Sequence, residues 1–315
     1  MLELTLDRLT KRYRNKIALD QVSASFTQGV YGLLGANGAG KTTMLRLICD
    51  ILAPTEGEIL CNGTPIRRLD GEYRRLLGYL PQDFGYYPDF TALRYLMYIA
   101  ALKALPPQTA RDKVEECISL AGLKGEEKQK IRSYSGGMLR RLGIAQALLN
   151  DPRILIMDEP TSGLDPRERI RFRNIISSLS RDRIIILSTH IVSDVEYIAD
   201  EILLLRSGQL IQKGTVTEVT EHVKGRVWEC MVPPAEAEEL GRRFAVANLK
   251  NLGGLVKVRI VSDEKPFPQA AEAEPGLEDL YLYYFDQKDM PNYRETYGPD
   301  QDERGGNGNV SDRTL

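Results

Sequence analysis

Short stretches in which apolar and polar residues alternate open the chain. Across LELTLDRLTKRYRNKIALDQVSASF this alternation predicts antiparallel strands with one buried face. Val30–Leu34 is a short apolar run that feeds a glycine-rich loop, and Thr42–Ile51 then takes up helical spacing. Pro54, Gly57 and Gly63 punctuate a hairpin-like segment around Glu58–Cys61. Thr91–Leu105 reads as helix, stopped by Pro106–Pro107, and Ala110–Ala121 as a second helix. Arg153–Met157 and Ile184–Leu187 are apolar runs too short for most helices, and a helix from Pro166 to Leu179 lies between them. Strands buried on both faces and alternating with helices predict an α/β core around a parallel sheet.

Near Gly225 the pattern changes. Val227–Val232 and Val256–Val261 read as strands, Pro234–Phe244 as a helix rich in Ala and Glu, and Leu277–Phe285 as a short aromatic helix. The expected organisation is a first domain over 1–222, with helices concentrated at about 85–150, then a small α+β domain over 223–285. From Asp286 apolar residues nearly vanish, and Gly305–Asn309 reads GGNGN, so 286–315 is expected to be a disordered tail.

Composition narrows the field. The 315 residues carry 42 Lys+Arg against 44 Asp+Glu, a net charge of -2 with no global attraction for nucleic acid or anionic lipid. Cys49, Cys61, Cys117 and Cys230 are scattered without a CxxC pair, which reads as reduced thiols. Residues 21–40 carry no charge, but their five glycines together with Gln21, Gln28 and Asn37 would leave backbone unprotected in lipid. The opening MLELTLDRLTKRYR has no apolar core like that of a secretory signal. The expectation is a cytosolic chain without a membrane span of its own.

Candidate chemistry begins at residues 35–42, GANGAGKT, a complete G-x-x-x-x-G-K-[ST] between a strand and a helix. Gly35, Gly38 and Gly40 let backbone approach phosphate oxygens, and amides of Asn37, Ala39 and Thr43 join them at the helix N-terminus. Lys41 supplies charge to β/γ phosphates, and the Thr42 hydroxyl is expected on Mg2+. Farther on, the strand Ile154–Met157 delivers Asp158 and Glu159 to the carboxyl edge of the sheet, where open α/β folds bind ligands. Asp158 is the expected Mg2+ residue, and Glu159 is placed to accept a proton from attacking water. Metal, cationic clamp and positioned nucleophile are what phosphoryl transfer requires.

Ser135–Gly136–Gly137, within YSGGM, opens a helical stretch shortly before that strand. With this element, residues 2–220 resemble the ABC-transporter ATPases, whose common form of the segment is LSGGQ; Tyr134 and Met138 depart from it, and the Ser-Gly-Gly is intact. The resemblance implies a P-loop ATPase core with an antiparallel β subdomain and a helical subdomain. It implies ATP and Mg2+ as cofactors, and a second ATPase subunit whose Ser-Gly-Gly meets the nucleotide on this chain's glycine loop. It marks Gln82, in LPQDF, as a residue reaching Mg2+ or attacking water, and Asp165, in SGLD, as a residue of the dimer contact. It marks His190, in LSTH, as a γ-phosphate contact and Tyr13 as an aromatic stacked on adenine. It also implies an integral membrane permease as partner, with a groove near Leu93–Leu102 receiving a short helix from it, and a peripheral place at the cytoplasmic face of the cell membrane. Residues 272–285, EAEPGLEDLYLYYF, resemble the end of ATPases serving drug-, antibiotic- and polysaccharide-type exporters, which favours export over import. Arg74–Arg75 and Arg140–Arg141 are expected on solvated helix faces. A soluble relative acting as a regulator or on nucleic acid or the ribosome is the alternative. Against it stand the near-neutral charge, the single cassette, and the presence of both Glu159 and His190.

Overall fold

A computed structural model describes residues 1–285; the tail expected over 286–315 lies outside the described residues. Three sheets organise the described residues. The first has the order β2-β1-β4-β5, formed by β1 (Leu4–Tyr13), β2 (Lys16–Phe26), β4 (Glu56–Cys61) and the two-residue β5 (Thr64–Pro65). Its pairings are antiparallel, as the alternation in the opening segment predicts.

The second sheet has six strands in the order β10-β9-β3-β8-β7-β6: β3 (Gly29–Leu34), β6 (Leu77–Leu80), β7 (Ile154–Asp158), β8 (Ile184–Thr189), β9 (Glu201–Arg206) and β10 (Gln209–Gly214). All neighbours are parallel except the β9–β10 hairpin. Successive residues of β7 and β8 divide between two cores, as a period of two requires. Leu155, Met157, Ile185 and Leu187 pack toward one cluster, and Ile154, Ile156, Ile184 and Ile186 toward the other. The second cluster lies between this sheet, the first sheet and α1 (Lys41–Ile48). Between β5 and β6 run the short helices α2 (Ile66–Leu69) and α3 (Gly71–Leu76).

The opposite face is covered by α4 (Ala92–Leu102), α5 (Pro107–Leu120), α6 (Gly136–Leu148), α7 (Pro166–Leu179), α8 (Val192–Glu196) and α9 (Val216–Thr220). The helix expected over Thr42–Ile51 ends early. Asp50 takes the left-handed φ of 56°, and the amides of Ile51 and Leu52 both turn back to the Arg46 carbonyl.

The third sheet, β12-β13-β11-β14, is built from β11 (Val227–Val232), β12 (Ala245–Leu252), β13 (Leu255–Val261) and β14 (Ala271–Glu272). One face carries α10 (Pro234–Arg243) over Cys230, Val232, Val258 and Ile260. The last helix, α11 (Leu277–Tyr284), does not join that small core: Leu277, Leu280, Tyr281 and Phe285 belong to the cluster beneath the six-stranded sheet. All four cysteines are buried free thiols. No helix among the described residues is long and apolar enough to cross a membrane.

Candidate nucleotide site

Because β3, β6, β7 and β8 are parallel, their carboxyl ends meet at one edge of the sheet. β3 runs into the glycine loop, β6 into Pro81–Gln82, β7 ends at Asp158 with Glu159 next, and β8 ends at Thr189 with His190 next. A cleft of about 450 Å³ opens there, lined by Tyr13, Lys16, Ala18, Ala36, Asn37, Gly38, Gly40, Lys41, Thr42, Thr43, Gln82, Glu159 and His190.

Two loop positions admit only glycine. A Cβ on Gly35 would come 2.4 Å from the Leu205 carbonyl oxygen. Gly40 has φ of 111°, and its Cβ would lie 2.4 Å from the Ala18 oxygen. Ala39 is buried behind the loop, its amide donating to the Ala36 carbonyl and its carbonyl accepting from the Gly208 amide, and it does not line the cleft.

Lys41 is the first residue of α1 and is buried. Its ammonium donates to the Gly35 carbonyl at 2.6 Å and the Ala36 carbonyl at 3.3 Å, and lies 3.7 Å from Oε1 of Glu159. Burial pulls its pKa below the ordinary lysine value, while the charges of Glu159 and Asp158 pull it back up.

Asp158 and Glu159 are both buried. The Ser188 hydroxyl donates to Asp158 Oδ1 at 2.6 Å, and the Glu159 amide donates to Ser188 Oγ at 3.0 Å. Glu159 takes the left-handed φ of 49°, a strain of about 1–2 kcal/mol for a residue with a Cβ. That φ breaks the strand's alternation, so that Glu159 follows Asp158 into the same edge. His190 Nδ1 lies 2.7 Å from Glu159 Oε2, and the tautomer protonated at Nδ1 donates to the carboxylate.

The remaining expected residues lie elsewhere. Ser135 caps α6, its hydroxyl accepting from the Met138 amide at 3.2 Å, and Asp165 caps α7, accepting from the Glu168 amide at 2.9 Å. Ser135, Gly136 and Asp165 are exposed. None of Ser135, Gly136, Gly137 or Asp165 lines the cleft.

One expectation is corrected. Arg141 is not on a solvated face: its side chain is 11 % exposed, and Nε lies 3.0 Å from Glu168 Oε2. It also donates to the Ala121 and Gly122 carbonyls at the end of α5, so one guanidinium ties α5, α6 and α7 together. Arg140 is half-buried and donates to the Gln82 carbonyl at 2.6 Å, while Arg74 and Arg75 are exposed as expected.

Sequence reasoning missed Lys16, Ala18 and Ser188. Lys16 pairs with Tyr13 across the first hairpin, so the register brings both to the cleft. Ser188 sits beside Asp158 in the ladder between β7 and β8, a neighbour that only the parallel pairing defines.

The chain is similar to known proteins in sequence and in fold. The family model for "ABC transporter" matches residues 19–162. An uncharacterized ABC transporter ATP-binding protein, YxlF, of Bacillus subtilis (strain 168) is 36 % identical over 230 residues, covering 73 % of this chain and 76 % of that one. Nod factor export ATP-binding protein I of Burkholderia orbicola (strain AU 1054) is 33 % identical over 280 residues, 86 % of this chain and 90 % of that one. Among solved structures, the dimeric bacterial ABC transporter cassette MJ0796 superposes with a TM-score of 0.62 at 27 % identity, covering 67 % of this chain and 98 % of that one. The chain belongs to the ABC transporter family, as an ATP-binding protein with the ATPase fold of its cassettes.

Proposed function

We propose that this chain hydrolyses MgATP in the cleft at the sheet edge and that two such subunits, closing on nucleotide and reopening after hydrolysis, drive a separate membrane permease in the direction of export. One observation carries the reading: a buried lysine, two buried carboxylates and a histidine converge at the carboxyl ends of adjacent parallel strands, around a cleft sized for a nucleotide.

The chemistry follows from the residues. Loop amides at the N-terminus of α1 and the Lys41 ammonium take up the β/γ phosphates. Mg2+ suits the donors at hand: the Thr42 hydroxyl, the Gln82 amide oxygen and the Asp158 carboxylate are hard oxygen ligands, few enough for the ion to keep waters and phosphates. Ser188 occupies Oδ1 of Asp158 and leaves Oδ2 for the ion's shell. When bound, Mg2+ neutralises charge developing on the phosphates.

A water attacks the γ-phosphorus while Glu159 accepts its proton. The bond to the bridging oxygen breaks, and ADP leaves with the electron pair. His190 holds the Glu159 carboxylate through its Nδ1 and presents its other face to the cleft. Tyr13, 43 % exposed at the rim, offers a ring for adenine to stack on.

The exposed Ser135–Gly136 and Asp165 are assigned to the second subunit's nucleotide. Gln82, in the cleft and bound through its carbonyl to Arg140 of α6, links nucleotide to the helices of 85–150, where the permease would dock. Export is favoured because the likeness to the Nod factor export protein covers 86 % of this chain, a longer stretch than the ATPase core alone.

Phosphate release from ATP by the purified chain, beside its Lys41→Ala variant, tests the activity. Release no higher than that of the variant contradicts it. Co-purification with a multi-span membrane protein tests the partner.

A further inference from the structure

We propose that α11 positions the ATP site: anchored to the C-terminal sheet by the Arg259–Asp279 pair, it braces α8 and thereby holds His190 against Glu159. This rests on the reading of Glu159 and His190 as the hydrolytic pair.

The need for a brace comes from α8 itself. It has five residues, Val192–Glu196, and its N-cap Ile191 offers no side-chain hydrogen bond. Isolated helices shorter than about 12 residues do not persist in water, so the place of α8 depends on its packing. On its inner side Val195, fully buried, sits over Gly32 of β3 so closely that a Cβ on Gly32 would come 2.9 Å from the Val195 Cβ. On its outer side α8 packs against α11. His190 lies only two residues before α8 begins, so a shift of this helix moves the 2.7 Å contact to Glu159. The field of Glu159 is felt on α11: burial first, and then that negative charge, push the Tyr281 phenol above its ordinary pKa.

α11 is held at its other side by charge. Asp279, with 3 % of its side chain exposed, receives Arg259 of β13 bidentately, Nε to Oδ1 at 3.0 Å and Nη2 to Oδ2 at 2.7 Å. The Gly276 amide donates to the same Oδ2 at 2.7 Å and fixes the start of the helix. Arg259 also donates to Glu229 of β11 at 3.0 Å and to the Glu274 carbonyl at 2.6 Å. Tyr284, at the far end of α11, accepts from Gln212 of β10 at 2.8 Å. Within the EPGLEDLYLYYF segment, Asp279 and the Tyr281–Phe285 pair are therefore the two sides of a strut: Asp279 faces the small sheet, and Tyr281 and Phe285 face the core under the ATP site.

The test compares the full chain with Asp279→Asn, which keeps shape and loses charge, and Tyr281→Ala, which keeps the anchor and loses packing. For each, ATP turnover, nucleotide Kd by calorimetry, thermal transition, and hydrogen exchange of residues 190–196 are measured. A positioning role predicts kcat lower by about tenfold or more, Kd within about twofold, and faster exchange over 190–196 in a folded protein. A kcat within about twofold of the parent in a folded variant overturns the proposal. So does a loss of kcat and nucleotide affinity together with the thermal transition, which reports general destabilisation. Should Tyr281→Ala not fold, Asp279→Asn decides. A parent that binds ATP without turning it over would contradict the proposed function instead, and the exchange of 190–196 then judges the brace alone.

Discussion

Lys41 Nζ lies 3.7 Å from Oε1 of Glu159, so the buried cation of the phosphate loop and the carboxylate assigned to water activation form a pair across the cleft. Their side chains are 7 % and 9 % exposed. Desolvated charges that are paired this way are costly to separate, and removing one partner leaves the other uncompensated. A γ-phosphate entering between them would take over the lysine and leave Glu159 to accept a proton.

Lys41→Ala should therefore weaken ATP binding by about 2 kcal/mol, a loss of charge-assisted phosphate contacts that corresponds to roughly 30-fold in Kd. Calorimetry with MgATP reads it directly. An unchanged affinity would count against the placement of phosphate on the loop.

The two glycines of Ser135–Gly136–Gly137 should behave differently. A Cβ on Gly136 meets nothing within 4 Å, whereas one on Gly137 would lie 2.8 Å from Glu168 Cγ and push the carboxylate that holds Arg141. Gly137→Ala is expected to lower stability by about 1–2 kcal/mol through overpacking. Gly136→Ala, at the first position of α6, should leave the fold as stable as the parent or slightly more so. Its effect should appear instead in nucleotide-driven dimerisation, because the open space over Gly136 is where a partner's phosphate would lie. Thermal melts and light scattering with ATP separate the two; equal melting points would contradict the steric argument.

The network anchoring α11 gives an acid-sensitive contribution to stability. Lys257 first, and Arg259 with it, hold the Glu229 carboxyl below its ordinary value near 4.5. A depressed folded pKa stabilises the fold above the unfolded value, and that gain is lost as pH falls through the lower folded value. Glu229→Gln should melt below the parent at pH 7, and the gap should close as pH drops below about 4. A gap that widens toward acid would have the wrong sign.

Much of the cleft is legible in sequence because its chemistry is contiguous: the glycine loop with Lys41 and Thr42, and Asp158 with Glu159, are each read from one short segment. What the sequence could not convey depends on pairing between segments. Ser188 binds the Asp158 carboxylate and the Glu159 amide only because β7 and β8 run parallel in register, Asp158 opposite Ser188. The positive φ of Glu159 leaves no trace in composition. Arg141 reads as surface because its partners, Glu168 and the end of α5, are remote along the chain. β12 is not legible in the sequence because AVANLKNL is half-buried or exposed throughout and carries no buried face to produce alternation. α11 was legible as a helix, but not its attachment beneath the neighbouring sheet instead of its own.

The most direct measurement is the turnover of ATP by Glu159→Gln, with nucleotide affinity and size determined on the same protein. This substitution keeps the shape of the buried side chain and removes its negative charge, and with it the capacity to accept a proton. The expected result is kcat lower by about 10²-fold or more, a Kd for MgATP within about threefold of the parent's, and elution as a dimer when MgATP is present. A kcat within a few-fold of the parent would contradict the assignment of Glu159, and with it the account of how this cleft spends ATP.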